Sequence, residues 1–73
     1  MIMAIDVFEL SPGDVIQGID DMVPNPTVRA VRSVPVTYGD QPGIGALVYF
    51  ADGHRDTFAA PQTITIDRPE PLP

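Results

Sequence analysis

His54 and Asp56 stand two residues apart in "ADGHRDTF", a spacing that puts both on one face of an extended strand. An imidazole base and the carboxylate that orients it would sit this way. Such chemistry also needs a nucleophile and donors for developing negative charge. No motif supplies them, because Ser11 falls in the turn "SPGD" and Ser33 in a separate extended stretch. A lone histidine beside a turn reads as solvated, so no catalytic residue is assigned. Oxygen ligands gather in "IDDMVPNP", where Asp20, Asp21 and Asn25 invite a calcium reading. Pro24 and Pro26 break the alternation a calcium loop needs, and no bidentate glutamate closes it. The expectation is a solvated acidic loop with no metal and no cofactor.

What remains is recognition. Asp20 and Asp21 are followed by Met22 and Val23, between Gly18 and Pro24, so the loop presents an apolar tip on a charged base. Such a tip suits a basic partner. A second contact surface is expected at the hairpin end formed by Asp52, His54 and Arg55. The tail "RPEPLP" does not carry the PxxP spacing of a polyproline ligand and is read as an extended, mobile end.

The elements that position these residues are strands. Nine prolines and six glycines leave no interval in which a 3.6-residue apolar rhythm lasts three turns. A first extended stretch, "MAIDVFEL", is closed by "SPGD", where Pro12 presets φ and Gly13 takes a positive φ. "DVIQGI" resumes extended structure, and the prolines of residues 20–26 make a loop. "TVRAVRSVPVTY" then alternates with a fault at Pro35, which cannot donate to a ladder, and "GDQPGIG" is a further connection. "TITIDR" closes the domain after a corner at Pro61, with Ile64 and Ile66 inward.

"VYFADGHRDTF" admits two registers. A two-residue turn at Asp52 and Gly53 would gather Leu47, Tyr49 and Phe58 on one face. A three-residue loop with Gly53 left-handed would oppose Phe50 to His54 and gather Ala46, Val48, Phe50 and Phe58. The second is preferred, because it buries two phenylalanines and leaves Tyr49, Arg55 and Thr57 on the wet side. Its cost is Asp56, which shares parity with Phe58.

A chain of 73 residues is one domain, read as residues 1–68 with a tail at 69–73, and it buries only about 60% of its unfolded surface. Without cysteine it has no disulfide and no thiolate metal site. Ten acidic against four basic residues give a net charge of −6, which disfavours direct nucleic-acid binding. No leader pattern or membrane-spanning apolar run is present, so the expectation is a cytoplasmic protein with no membrane contact. All four basic residues are arginine, and Ala, Asp, Gly, Pro and Val are plentiful, a bias associated with GC-rich genomes.

"GDVI", the acidic loop, a long strand, "LVYFADGHRDTF", a corner and a final strand follow the order of an SH3-like barrel, including Tudor-type variants, which this chain resembles from about Leu10 to Asp67. The resemblance implies an all-β fold, a small five-stranded SH3-like barrel. A Tudor-type cage would fall on Ile16, Met22, Tyr49, Phe50 and Asp52, which holds too few aromatics for a methylated cation. With "PGDVI", "FADG" and "TITI" the chain also resembles small orphan proteins of actinobacteriophages.

The expected function is non-enzymatic binding of a protein, a host factor, by a small phage-encoded module acting through Asp20, Asp21, Met22, Val23, Asp52, His54 and Arg55. One alternative is a virion or assembly component that self-associates as a homo-oligomer through sheet edges. Another is an acidic DNA mimic that inhibits a nucleic-acid-binding protein. The preferred register has a direct consequence: Phe50→Ala should cost about 3–5 kcal/mol in urea unfolding, and Tyr49→Ala much less. Equal losses would refute the face assignment.

Overall fold

Asp6 ends the first strand, since its carboxylate accepts a hydrogen bond from the Phe8 amide at 2.9 Å and caps a short 3-10 helix, Val7–Glu9. The stretch read as one strand over "MAIDVFEL" is therefore β1, Ile2–Asp6, followed by that helix, which turns Val7 into the core. The computed structural model describes residues 1–19 and 24–69. The expected loop contacts Asp20, Asp21, Met22 and Val23, and tail residues 70–73, lie outside the described residues.

The "SPGD" turn forms as expected, with Gly13 at φ +96° and the Asp14 amide donating to the Ser11 carbonyl at 3.1 Å. The remaining strands are β2, Val15–Ile16; β3, Val28–Tyr38; β4, Gln41–Phe50; β5, Arg55–Ala59; and β6, Thr63–Asp67. They form two antiparallel sheets of three strands, ordered β1-β6-β2 and β3-β4-β5. The chain is all-β. Among the described residues there are six strands where five were expected, and neither sheet closes into a barrel. A single bridge, Val15 to Thr27, links the sheets at one corner.

Their inner faces make one core. Ala46, Val48, Phe50 and Phe58 from the second sheet meet Ile16, Ile64 and Ile66 from the first, with Val7, Leu10 and Val28 completing the cluster. This is the face composition of the bulged register. The Phe50 amide donates to the His54 carbonyl at 2.8 Å and the Gly53 amide to the Phe50 carbonyl at 3.1 Å, enclosing a three-residue loop with Gly53 at φ +95°. Only glycine adopts that φ without strain. Asp56, opposite Val48, stays exposed because β5 is the edge of its sheet.

Two expectations about the long hairpin are corrected. "GDQPGIG" is not a connection: only Gly39 and Asp40 turn, and β4 starts at Gln41. Pro42 is tolerated because β5 pairs with β4 only from Gly45 onward, which leaves that end of β4 at an edge. The glycines are sites of close approach. A Cβ on Gly43 would meet the Tyr38 ring at 2.4 Å, and one on Gly45 would lie 3.0 Å from the Phe58 carbonyl oxygen. The Tyr38 hydroxyl accepts from the Ala60 amide at 2.9 Å, so the ring ties the arm to the corner between β5 and β6. The fault in β3 is also not at Pro35, which pairs in register with Ile44. It is a bulge at Arg29, between the pairs Val28 to Phe50 and Ala30 to Tyr49. The extra residue reverses the parity beyond it, so Val31 faces the core and Ala30 does not.

Asp14 is the buried charged residue, 1% exposed. Its carboxylate accepts from Arg68 Nε at 2.9 Å, from Arg68 Nη2 at 2.8 Å and from the Ser11 amide at 2.8 Å. Arg68 Nη2 also reaches the Glu9 carbonyl at 3.1 Å. The Arg68 guanidinium holds the Asp14 carboxyl below its ordinary 3.8, outweighing the opposing effect of burial. Asp14→Ala leaves Arg68 without its fork partner and, because that guanidinium is partly open to water, should cost about 1.5–3 kcal/mol in urea unfolding. Because the folded pKa is depressed, the stabilisation is complete above the unfolded value near 3.8 and is lost as pH falls through the folded value. Wild-type stability should therefore drop steeply on acidification below about pH 4, and that segment of the curve should flatten in Asp14→Asn.

Candidate functional site

The hairpin loop is fixed against the chain entering β3 by one backbone bond: the Ala51 amide donates to the Thr27 carbonyl at 2.9 Å. Residues 24–27 are held from behind as well, because the Ile16 amide donates to the Pro26 carbonyl at 3.0 Å. Between this segment and the hairpin end lies a cleft of about 520 Å3. Pro24, Pro26 and Thr27 line one wall, and Phe50, Ala51, Asp52 and residues 54–56 the other. The cleft is mixed in character, apolar at the prolines and at Phe50 and charged at the hairpin end.

Asp52 organises that end. Its Oδ1 accepts from the His54 amide and its Oδ2 lies against His54 Nδ1, each at 2.9 Å. The hydrogen bond from His54 lowers the Asp52 carboxyl from its ordinary value, and the Asp52 carboxylate raises the His54 imidazole above its usual 6.5. The imidazole thus pairs with Asp52 inside the loop and not with Asp56 on the strand. Asp56 accepts from the adjacent Thr57 amide at 2.8 Å, whereas Asp52, two residues before the His54 amide, is the aspartate placed to close the turn. His54 and Asp52 are both exposed, and no nucleophile stands beside them among the residues lining the cleft.

Three of the residues expected to bind, Asp52, His54 and Arg55, therefore come together at one cleft, while Asp20, Asp21, Met22 and Val23 belong to the undescribed segment that immediately precedes its Pro24 wall. Pro24, Pro26 and Thr27 were missed as site residues, although two prolines flanking Asn25 signal a stiff wall. Asn25 directs its amide to Gln17 Oε1 at 3.2 Å. Among the described residues no group of three or more His, Cys, Asp or Glu side chains converges as metal ligands would. The described positions of a Tudor-type cage do not converge either: Ile16 and Phe50 are buried in the core, and Tyr49 faces the other side of its sheet. No helix among the described residues is long and apolar enough to cross a membrane.

Comparison with protein-family models, curated proteins and solved structures gives no match. The cleft must be interpreted from its own chemistry. Its charged end has a direct readout in a proton NMR titration. The His54 ring signals should titrate with a midpoint above 6.5 in the wild type and return toward 6.5 in Asp52→Asn. A midpoint unchanged by that substitution would show that the Asp52 carboxylate does not hold the imidazole.

Proposed function

We propose that this chain is a non-enzymatic protein-binding module on an SH3-like scaffold, encoded by a phage-like genome and acting on a host protein inside the cell. The observation that carries the reading is the cleft, whose walls are the hairpin end and the segment that follows the acidic, apolar-tipped loop. An apolar side chain of a partner fits between the prolines and Phe50, and a neighbouring basic group meets Asp52 and Asp56. Exposed loops on a rigid sheet pair are the usual place for such contacts. The arginine-only, Ala- and Pro-rich composition supports the assignment of source.

One observation favours assembly through sheet edges as a second reading. Among the described residues β3 pairs in its sheet only with β4, which leaves the far edge of an 11-residue strand open apart from the bridge at Thr27. DNA mimicry has less support, because a mimic needs a continuous carboxylate surface and the arginines of β3 and β5 interrupt it.

Pull-down and binding kinetics from host lysate test the proposal. Met22→Asp should abolish capture with an unchanged circular dichroism spectrum. Asp52→Asn combined with Asp56→Asn should slow association and weaken its salt dependence. Full, unaltered capture by both folded variants would overturn the cleft as the binding site.

A further inference from the structure

The outer face of the β3-β4-β5 sheet holds a cluster that the cleft meets only at Arg55. Tyr49 pairs with Ala30 on one side and Arg55 on the other, and it alternates with the buried Val48 and Phe50, so its ring lies away from the core. The guanidinium carbons of Arg29 and Arg32 lie 5.8 and 6.0 Å from the ring centroid. Both are within cation–π range. The bulge at Arg29 makes this possible. By inserting a residue it brings Arg29 to the ring and sets Arg32 opposite Leu47, in the row next to Tyr49. Arg29 and Arg32 thus stand over one tyrosine whose partner on β5 is Arg55, and none of the three arginines forms an ion pair among the described residues.

In a chain with ten carboxylates that arrangement is selective. Guanidinium groups stacked on an aromatic face lose little further freedom when they fork to a carboxylate, which pre-organises them for an anion. Beside them on the same face lie Val34, Val36 and Leu47, each half-buried. We propose that this face is a second docking surface, and that its occupant is an acidic segment of a partner protein, with carboxylates on Arg29, Arg32 and Arg55 and aliphatic groups against Val34, Val36 and Leu47. Charge complementarity selects a short acidic segment over a nucleic acid. A polyanion running past the three arginines would meet a chain whose acidic residues far outnumber its one remaining arginine, itself held by the buried Asp14. The proposal goes beyond the cleft reading, since Arg29 and Arg32 line no part of the cleft.

The test is an NMR titration of the intact chain with a capped hexaglutamate peptide, with hexaglutamine and a thymidine hexanucleotide as comparisons. The expected result is saturable shifts of the Tyr49 ring and of the arginine Nε–H signals of residues 29, 32 and 55 with hexaglutamate alone. They should vanish near 1 M salt, where the Debye length falls to about 3 Å. Arg29→Gln and Arg32→Gln should each weaken binding about tenfold while the His54 signals stay unchanged. Tighter binding of the hexanucleotide, equal binding of hexaglutamine, or no saturation of these signals would overturn the assignment. None of these results depends on whether Met22→Asp loses capture at the cleft.

Discussion

The Asp14–Arg68 pair is the constraint on which the rest of the fold depends. Asp14 sits where the "SPGD" turn delivers the chain to β2, and its own carbonyl accepts from the Val28 amide at 2.7 Å, where β3 begins. Arg68 follows the end of β6, the strand shared by β1 and β2, and its amide donates to the Met1 carbonyl at 2.8 Å. One forked ion pair therefore meets both sheets and the 3-10 helix. A buried ion pair often contributes less than apolar packing of the same volume, and its value here is positional. With a core of ten buried apolar side chains, two small sheets could slide on each other. A charge that must find its single partner fixes their register.

The arrangement at the core explains why function is left to the periphery. Ten apolar side chains occupy the space between the sheets, and the Asp14 carboxylate is satisfied by three donors. Nothing polar is left over inside for a ligand to satisfy, and no buried side-chain nitrogen or oxygen among the described residues lacks a hydrogen-bond partner. The two proposed recognition surfaces, the cleft at the hairpin end and the outer sheet face, are both open to water. Each is built around a local device, an aspartate closing a turn in one case and a bulge re-aiming an arginine in the other.

The residues themselves show which parts of this were legible. The hairpin register followed from local turn chemistry, because Gly53 and the parity of Val48, Phe50 and Phe58 agree. The start of β4 was misread because glycine and proline usually punctuate loops. Here Gly43 and Gly45 make room for Tyr38 and the Phe58 backbone, which are brought there by the hairpin pairing and by the adjacent strand. The bulge left no sign, since Arg29 has no special backbone requirement. Without the bulge, alternation spreads the arginines of β3 over both faces. The pairing of Asp14 with Arg68 spans 54 positions, so no local pattern announces it. At the cleft, the lining residues of the hairpin end were visible as charges on a turn. The proline wall opposite was visible only as a loop, and the pairing of His54 with Asp52 needed the turn geometry.

The pairing of β1 with β6 sets Ile2 opposite Asp67, so the first strand finds its partner in the sheet at the far end of the domain. During synthesis the β3-β4-β5 meander is complete, with all its contacts between consecutive strands, while β1 and β2 still have no partner in their sheet. The second half of the fold then forms by closing the longest loop in the chain, a high-contact-order step with a large entropic cost. Until Arg68 emerges, Asp14 remains hydrated and the apolar face of the meander lies open. That interval is when such a nascent chain is most exposed to wrong pairing.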